Sequence, residues 1–367
     1  YFKALGQYFE VSHGMRREDA KALAAAARES IETKPDLENG DAFGEALAAW
    51  LPPHQRDNGF ETISETEARR AHEYAMRTAE ADTNDATFQA MEALVHNLNT
   101  MNSRAGAQVP FSSINYGTDT SPEARMVIRN LLLATEDGLG DGETPIFPVQ
   151  IFKIKEGVNF NPGDPNYDLF HLAIRTSAKR LFPNFSFLDA PFNLQYYKPG
   201  DYNTEVAYMG CRTRVMGNVH DPEREVTCGR GNLSFTSINL PRIAIEAKGD
   251  IQKFYKTLDA RIDLVIRQLL HRFHIQCGKK VYNYPFLMGQ GVWIDSDKLG
   301  PDDSVGEVLR HGTLSVGFIG LAETLVSLTG KHHGESAESQ KLGLEIIGHM
   351  RERMDEESRQ TGLNFTL

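Results

Sequence analysis

The stretch GRGNLSFTSINLPR, residues 229–242, joins a predicted strand directly to a predicted helix. Its centre holds Phe235, Thr236 and Ile238, the aromatic and β-branched types that strands favour, and a long helical pattern follows over 241–276. The glycines of this stretch lack the third member of a dinucleotide-binding fingerprint, and a strand follows them instead of a helix. The stretch therefore favours an α/β unit and disfavours a Rossmann nucleotide site.

The same alternation of strands and helices extends along most of the chain. Thr120-Ser121-Pro122-Glu123 is a typical helix start, with a hydroxyl cap, an early proline and a glutamate three residues after the threonine. Alternating strands and helices predict an α/β architecture with parallel strands. The other predicted elements are strands over 109–116, 145–154, 184–188 and 233–240, and helices over 304–328 and 335–361.

Composition divides the chain into two predicted regions. Residues 1–75 are polar and rich in Ala, Glu and Arg, with a helix predicted over 17–33 and a proline-containing loop over 34–60. We expect them to form a peripheral helical and loop region. Residues 76–367 are expected to form the central, catalytic α/β part, which opens with apolar residues at helical spacing over 84–101.

The overall composition is that of a globular protein. Of the 367 residues, 40% are hydrophobic and 24% are charged, and the formal net charge is −11. This charge argues against a nucleic-acid groove or a polybasic membrane face, although a nucleotide needs only local donors. No apolar run approaches the roughly 18 residues of a membrane span. The composition thus predicts neither a nucleic-acid nor a membrane partner.

Three cysteines, Cys211, Cys228 and Cys277, form neither an even disulfide set nor a CxxC pair, which favours a reducing, cytoplasmic setting. Cys211 lies beside Gly210 between segments rich in turn formers. From spacing alone it is either a small buried hydrophobe or a catalyst. The nearby Arg212 and Arg214 fit either a phosphate contact or a lowered thiol pKa.

Two histidine pairs are candidate metal ligands, namely His271/His274 and His332/His333. Adjacent histidines rarely share one ion, and no cysteine or carboxylate cluster accompanies either pair. We therefore predict no metal site in this chain.

Six segments carry a resemblance that is more specific than any of these patterns. They resemble the anaerobic (class III) ribonucleoside-triphosphate reductases, which are glycyl-radical enzymes. The resemblance runs from about residue 83 to 367, and residues 1–75 match only loosely. The segments are HNLNTMNSRAGAQVPFSSINYGTDTSPEARM (96–126), NFSFLDAPFN (184–193), YMGCRTRVMGN (208–218), GRGNLSFTSINLPR (229–242), YPFLMGQG (284–291) and GKHHGES (330–336).

The resemblance implies a ten-stranded α/β barrel with a central finger loop, of which this chain is a part. Cys211 would lie at the tip of that loop as the thiyl radical that takes the 3′-hydrogen of a ribonucleoside triphosphate. Loss of water from C2′ and reduction would then give the deoxyribonucleotide. Such a radical needs a dry, closely fitted site, which an enclosed barrel with a finger loop supplies.

The resemblance also implies roles for individual residues. Asn232 would hydrogen-bond near the reacting ribose, although an asparagine there could simply satisfy loop backbone. Met209 matches the residue beside the site used by formate, the favoured reductant, although it could be packing filler. Cys228 and Cys277 are expected to be incidental. The expected substrate-binding residues are Ser103, Arg104, Gln108, Pro110, Phe111, Ser112, Ser113, Asn115, Gly210 and Arg212.

Other parts of the family's machinery are expected outside this sequence. The glycyl-radical loop and a four-cysteine zinc site would lie downstream of it, and a second redox cysteine and any ATP-cone would lie upstream. The resemblance further implies a radical-SAM activase, a homodimer, and ATP or deoxynucleotide effectors near the subunit interface. The apolar helix predicted over 84–101 is the candidate interface element.

Two alternatives to a reductase remain open at this point. Another glycyl-radical enzyme, of the formate-lyase or dehydratase type, is disfavoured by RAGAQVPFSSINYG and GRGNLSFTSINL. A chain that binds nucleotides or dimerises without turnover would bind a deoxynucleotide and yield no product.

Overall fold

The computed structural model describes residues 1–56, 63–102, 108–210, 213–224 and 226–367. The chain divides into two compact units, residues 1–189 and 190–367, and each is described by itself. The first unit contains α1 (Phe2–Ser12), α2 (Arg17–Ser30), α3 (Gly40–Arg56), α4 (Glu65–Thr100), β1 (Ser113–Tyr116), α5 (Pro122–Asp137), β2 (Val149–Ile154), α6 (Tyr167–Arg180) and β3 (Asn184–Phe187).

The second unit begins with a short helix and a two-stranded hairpin and continues as alternating strands and helices. Its elements are α7 (Pro191–Leu194), β4 (Tyr208–Met209), β5 (Thr213–Arg214), β6 (Asn232–Asn239), α8 (Leu240–Ala247), α9 (Ile251–Cys277), α10 (Gly306–Leu309), β7 (Thr313–Ile319), α11 (Leu321–Thr329), α12 (Ala337–Thr361) and β8 (Asn364–Thr366).

Helices α1 to α3 and the first turns of α4 share a core of their own. Leu5, Phe9, Phe43 and Leu47 are buried in it at helical spacing. Helix α4 begins with a capping box, in which the Ser64 hydroxyl accepts from the backbone N–H three residues on. Helix α4 continues without a break past residue 75, where composition placed the boundary between the two predicted regions. Its later turns contact α5.

The first sheet is a parallel three-stranded sheet in the order β1-β2-β3. Parallel neighbours need a crossover, and α5 and α6 supply the two crossovers. Phe152 of β2 is fully buried, and Leu132 of α5 and Leu169 of α6 pack in the same cluster. The nearly continuous burial along VQIFKI is therefore explained by helices that cover this strand.

The second sheet is also parallel and three-stranded, in the order β6-β7-β8. Its register pairs Asn232 with Thr313 and Thr313 with Asn364. The core beside it takes its largest buried side chains from α8 and α9, including Leu240 and Phe254. These two sheets and the hairpin are small, and none closes on itself within the described ranges. The fold is thus mixed α/β with parallel sheets.

Three sequence predictions of local structure are wrong. The helix predicted over 241–276 is two helices, because Lys248 and Gly249 adopt positive φ between α8 and α9. The helix predicted over 304–328 contains strand β7, whose TLSVGFI run alternates more nearly as a strand than as a helix. The loop predicted over 34–60 contains helix α3, whose buried face outweighs its two prolines.

Candidate active site

A short hairpin brackets the cysteine that the sequence singles out. Strands β4 and β5 pair antiparallel, with Tyr208 opposite Arg214 and Met209 opposite Thr213. Gly210 follows β4 with φ of 55°, a conformation that glycine adopts without a Cβ penalty. Cys211 and Arg212, which come next in sequence, lie outside the described residues.

Arg214 anchors the second strand of the hairpin to α7. Its guanidinium donates to the Asn193 side-chain oxygen at 2.5 Å and to the Phe192 carbonyl at 3.3 Å. The same group lies 4.8 Å from the centre of the Phe192 ring, which is a cation–π distance. These contacts anchor the strand that follows Cys211 to α7.

Met209 lies beside the start of β6. A Cβ built on Gly231 would stand 3.5 Å from the Met209 Sδ atom and 3.5 Å from the Trp293 ring. Trp293 is itself fixed, because its Nε1 donates to the Val308 carbonyl at 2.8 Å. The thioether of Met209 therefore packs next to the backbone that leads into Asn232.

Asn232 is held by hydroxyl groups at the first position of β6. Its Oδ1 accepts from the Thr313 hydroxyl and, at 3.3 Å, from the Ser315 hydroxyl. Its Nδ2 faces the Thr213 Oγ1 at 3.4 Å, so the amide reaches the strand that follows Cys211. The Asn232 side chain is nevertheless exposed, which leaves it accessible to a ligand. Met209, Gly210 and Asn232 are thus brought together within the second unit.

A buried arginine ties the segment after the hairpin to the sheet. The Arg230 guanidinium donates to the carbonyl oxygens of Met216 and Val226, and also to those of Gly217 and His311, at distances of 2.9–3.0 Å. Only 5% of its surface is exposed. Because burying a cation is costly unless its N–H groups are bonded, this arrangement strongly favours one path for the loop.

His311 and two asparagines continue this buried network. The His311 Nδ1 lies 3.0 Å from Asn218 Nδ2, and Asn364 Nδ2 donates to the Asn218 Oδ1 at 3.3 Å. Since an amide nitrogen can only donate, Nδ1 is the acceptor and the proton of neutral His311 lies on Nε2. Burial lowers the pKa of His311, and the neighbouring His220 and Arg224 lower it further.

An ion pair closes the network on the other side of His311. Arg224 makes a two-pronged contact with Asp295, at 2.9 and 2.5 Å. Hydrogen bonds from Arg224 and Lys298 hold the pKa of Asp295 well below its usual range. The His311 Nε2 lies 3.4 Å from the same carboxylate, so an Nε2 proton would point toward a negative charge. This cluster was missed in the sequence, where its members are scattered over 218–364.

The first unit holds the remaining predicted substrate residues. Ser113 and Asn115 lie in β1, and the Ser112 carbonyl accepts from the Val149 backbone at 2.9 Å. Phe111 is 70% exposed and packs edge-on against Phe147. Gln108 and Pro110 precede this strand, and Pro110 accepts from the Ser112 hydroxyl at 3.4 Å. Ser103 and Arg104 lie outside the described residues.

The other two cysteines have ordinary surroundings. Cys228 is exposed, with its Sγ 3.6 Å from the Asn203 side-chain oxygen. Cys277 is half-buried at the end of α9, and burial raises the pKa of its thiol. A raised pKa disfavours the reactive thiolate at neutral pH.

Within the described part of the chain, no group of three or more His, Cys, Asp or Glu side chains is placed to share a metal ion. No helix among these residues is long and apolar enough to cross a membrane.

Comparison with known proteins decides the family. The sequence model described as anaerobic ribonucleoside-triphosphate reductase matches residues 21–367. The chain belongs to this family. The anaerobic ribonucleoside-triphosphate reductase of Escherichia coli (strain K12) is 33% identical over 317 residues, which cover 84% of this chain and 43% of that protein. The enzyme of the same name from Enterobacteria phage T4 is 32% identical over 300 residues, covering 80% and 47%.

The chain of this reductase family member therefore spans less than half the length of these relatives. The crystal structure of the anaerobic ribonucleotide reductase from Thermotoga maritima in complex with dATP and CTP is similar in fold. Its TM-score is 0.51 at 13% identity, covering all of this chain and 66% of that one. The family assignment confirms the resemblance that rested on motifs such as YMGCRTRVMGN and GRGNLSFTSINLPR.

Proposed function

We propose that the protein containing this chain reduces ribonucleoside triphosphates to deoxyribonucleoside triphosphates under anaerobic conditions, with Cys211 as the residue that becomes the thiyl radical. One observation carries the proposal beyond family membership. The Asn232 amide reaches Thr213, two residues after Cys211, while Met209, two residues before it, packs beside Gly231. These contacts between the motifs YMGCRTRVMGN and GRGNLSFTSINLPR support the proposal that both contribute to one site with Cys211.

The proposed reaction begins at the Cys211 sulfur. A glycyl radical outside this chain takes the thiol hydrogen, and the resulting thiyl radical takes the 3′-hydrogen of the ribose. The 2′-hydroxyl then takes up a proton and leaves as water, and two electrons from a reductant together with a second proton form the C–H bond at C2′. Return of the 3′-hydrogen from the thiol regenerates the thiyl radical. The protein's part is to position these groups and exclude solvent, because the radical supplies the difficult chemistry.

In this proposal Asn232 contacts a ribose hydroxyl, and Met209 lies beside the formate that serves as reductant. With formate the balance is one ribonucleotide, one formate and one proton in, and one deoxyribonucleotide, one carbon dioxide and one water out. The other proposed substrate-binding residues belong to the segments 96–126 and 208–218. They are Ser103, Arg104, Gln108, Pro110, Phe111, Ser112, Ser113, Asn115, Gly210 and Arg212.

The complete protein is proposed to form the family's ten-stranded barrel, to which β1-β2-β3 and β6-β7-β8 would contribute. Residues 76–367 would belong to this catalytic part and residues 1–75 to its periphery. On the basis of the family resemblance we also propose an activase as partner, a zinc site and a cytoplasmic homodimer. The dATP and CTP of the Thermotoga maritima complex support nucleotide substrates and effectors here.

Helix α4 supports the proposed dimer. Its second half presents Ala86, Ala90 and Met91, which with Val127 of α5 line an open surface pocket of about 470 Å³. An apolar surface between these two helices is suited to a second subunit.

The test is product formation by the complete natural protein. The protein is treated anaerobically with its activase and given a ribonucleoside triphosphate, an effector and formate. We expect deoxyribonucleotide together with an organic radical signal in electron paramagnetic resonance. Tight nucleotide binding with a radical signal but no deoxyribonucleotide would contradict the proposal and favour a binding module. Turnover of pyruvate or a diol instead would favour another glycyl-radical enzyme.

A further inference from the structure

The two ends of the Asn232 amide have different partners. The oxygen faces the hydroxyls of Thr313 and Ser315, while the nitrogen faces Thr213 at 3.4 Å. A side-chain amide can bind a ligand with either end, and the two ends have opposite hydrogen-bonding character. Which end faces the ligand therefore decides what kind of atom Asn232 recognises.

A relay of hydroxyl groups sets this orientation. The Ser315 Oγ lies 2.9 Å from the Thr366 Oγ1 on the neighbouring strand β8. If the Thr366 hydroxyl donates to Ser315, the Ser315 hydroxyl donates its own proton to the Asn232 oxygen. The Thr313 hydroxyl donates to the same oxygen. Both lone pairs of the amide oxygen are then occupied, so the oxygen has no capacity left for a ligand.

The sheet register explains why these hydroxyls converge. Thr313 is the direct partner of Asn232 across β6 and β7, and Ser315 is the direct partner of Thr366 across β7 and β8. Thr313 and Ser315 are two residues apart and so project from the same face of β7. The Thr313 backbone N–H also donates to the Gly231 carbonyl at 3.0 Å, and only 4% of Thr313 is exposed. The orienting groups are thus part of the rigid sheet.

The nitrogen end is the one that stays accessible. Among the described residues, Thr213 is the one acceptor that Nδ2 faces, and the 3.4 Å separation is long for an N–H···O bond. The second N–H hydrogen of Nδ2 has no acceptor in the described part of the chain. Because Asn232 is exposed, that N–H remains accessible to a ligand.

We infer that Thr313 and Ser315 are positioning residues, which occupy the oxygen of Asn232 so that the amide presents an N–H donor to a ribose oxygen. The inference rests on the proposed function, in which Asn232 contacts the substrate ribose. A fixed N–H donor stabilises negative charge that develops on such an oxygen as water is lost from C2′. The interaction is stronger in the transition state than in the ground state, so it acts on kcat more than on KM.

The experiment compares variants of the complete natural protein that remove single hydroxyls. Thr313→Val removes one donor to Asn232 at nearly constant volume, and Ser315→Ala removes the other at a half-buried position. We expect each to lower kcat about five-fold, as for loss of one neutral hydrogen bond, with KM unchanged within about two-fold. Thr313→Ser, which keeps the hydroxyl, should restore kcat. Thr324→Val is the matched control, because the Thr324 hydroxyl is buried and donates to the Gly320 carbonyl, immediately before α11.

A double-mutant cycle separates positioning from a merely structural role. In an Asn232→Ala background, Thr313→Val and Ser315→Ala should have no further effect on kcat. If the five-fold loss persists in that background, the hydroxyls do not act through Asn232 and the inference is overturned. Thermal unfolding and the glycyl-radical signal, measured for every variant, identify any that fail to fold.

The inference and the proposed role of Asn232 can fail separately. Low kcat in Asn232→Ala together with normal kcat in both hydroxyl variants overturns the inference alone. Normal kcat in Asn232→Ala overturns the role of Asn232 itself, and the inference with it. The inference and the role of Asn232 are both supported if kcat is low in Asn232→Ala and in each hydroxyl variant, and if adding a hydroxyl substitution to Asn232→Ala lowers kcat no further.

Discussion

The guanidinium of Arg230 donates a 2.9 Å hydrogen bond to the carbonyl oxygen of His311. Arg230 stands two residues before Asn232, and His311 stands two residues before Thr313. The bond therefore joins β6 to β7 immediately ahead of the pair that holds the candidate active-site amide. The other Arg230 nitrogens bind the segment that follows the hairpin, so one buried cation connects the sheet to the region around Cys211.

Replacing Arg230 by lysine should loosen this connection although the charge is kept. A lysine ammonium cannot reproduce the planar fork that reaches several carbonyls at once, and unbonded buried carbonyls are costly. We expect a loss of about 2 kcal/mol or more in the free energy of unfolding. Amide hydrogen exchange of peptides covering 213–232 should become faster, while peptides of the first unit keep their rates.

The matched control for this prediction is Arg242→Lys. Arg242 is an exposed residue of α8 that pairs with Glu246 one turn away, so its replacement should leave both measurements unchanged. Equal exchange rates for Arg230→Lys and the parent protein in 213–232 would show that the loop path does not depend on the guanidinium.

His311 makes the stability of the second unit depend on pH. Burial lowers the pKa of His311, so the unfolded chain binds its proton more readily than the folded chain does. Stability is therefore greatest above the ordinary imidazole pKa of about 6.5 and falls as the pH drops through it. Protonation also places a proton on Nδ1, against the N–H of Asn218.

Unfolding of the parent protein and of His311→Gln, measured between about pH 7.5 and 5.5, checks this. The parent should lose stability over that interval, and the variant should show a flatter profile. Asp295, whose pKa is lowered, also makes stability depend on pH, but in a more acidic range. Its stabilising effect is lost only as the pH falls through about 4, the ordinary pKa of a carboxylate, and below. Parallel profiles for parent and variant would exclude His311 as the titrating group.

The sequence predicts the elements better than it predicts the site. Strands β2 and β3 are predictable because each combines β-branched or aromatic residues with flanking turn residues. The sequence predicts helix at β7, since its apolar residues lie beside those of α11 and the periodicity of a single segment does not separate them. Helix α3 was missed because Pro52 and Pro53 suggested a loop, whereas Phe43, Leu47 and Leu51 recur at helical spacing and would have revealed it.

The buried polar network that includes Arg230, His311 and Asn364 could not be predicted from the sequence. Arg230 and His311 are 81 residues apart, and Asn364 bonds Val219 across 145 residues. No local pattern links such partners, because pairing across a parallel sheet depends on register. Cys211 and Asn232 are proposed from motif resemblance, and the position of Thr313 opposite Asn232 depends on the sheet register.

We predict that formate is the reductant of the complete enzyme. The observation behind this is Met209, which matches the formate-using branch of the family and packs beside the strand that carries Asn232. With carbon-labelled formate, labelled carbon dioxide should appear in equal amount to deoxyribonucleotide. Product formation that consumes thioredoxin stoichiometrically and leaves labelled formate untouched would show that this prediction is wrong.

The last prediction separates the three cysteines in the complete enzyme. Cys211→Ser should abolish deoxyribonucleotide formation, because a hydroxyl holds its hydrogen far more strongly than a thiol and the glycyl radical cannot remove it. The replacement is nearly isosteric, so effector binding and the glycyl-radical signal should both survive.

Cys228→Ser and Cys277→Ser are the controls, and both should retain product formation. Cys228 is exposed and Cys277 is half-buried with a raised pKa, so their replacement should cost at most about 1 kcal/mol of stability. Product and the electron paramagnetic resonance signal are measured for each variant. Appreciable product from the Cys211 variant would move the radical site away from this residue. Loss of product with a normal radical signal in either control would also contradict the assignment, because a second thiol would then be essential for the reaction.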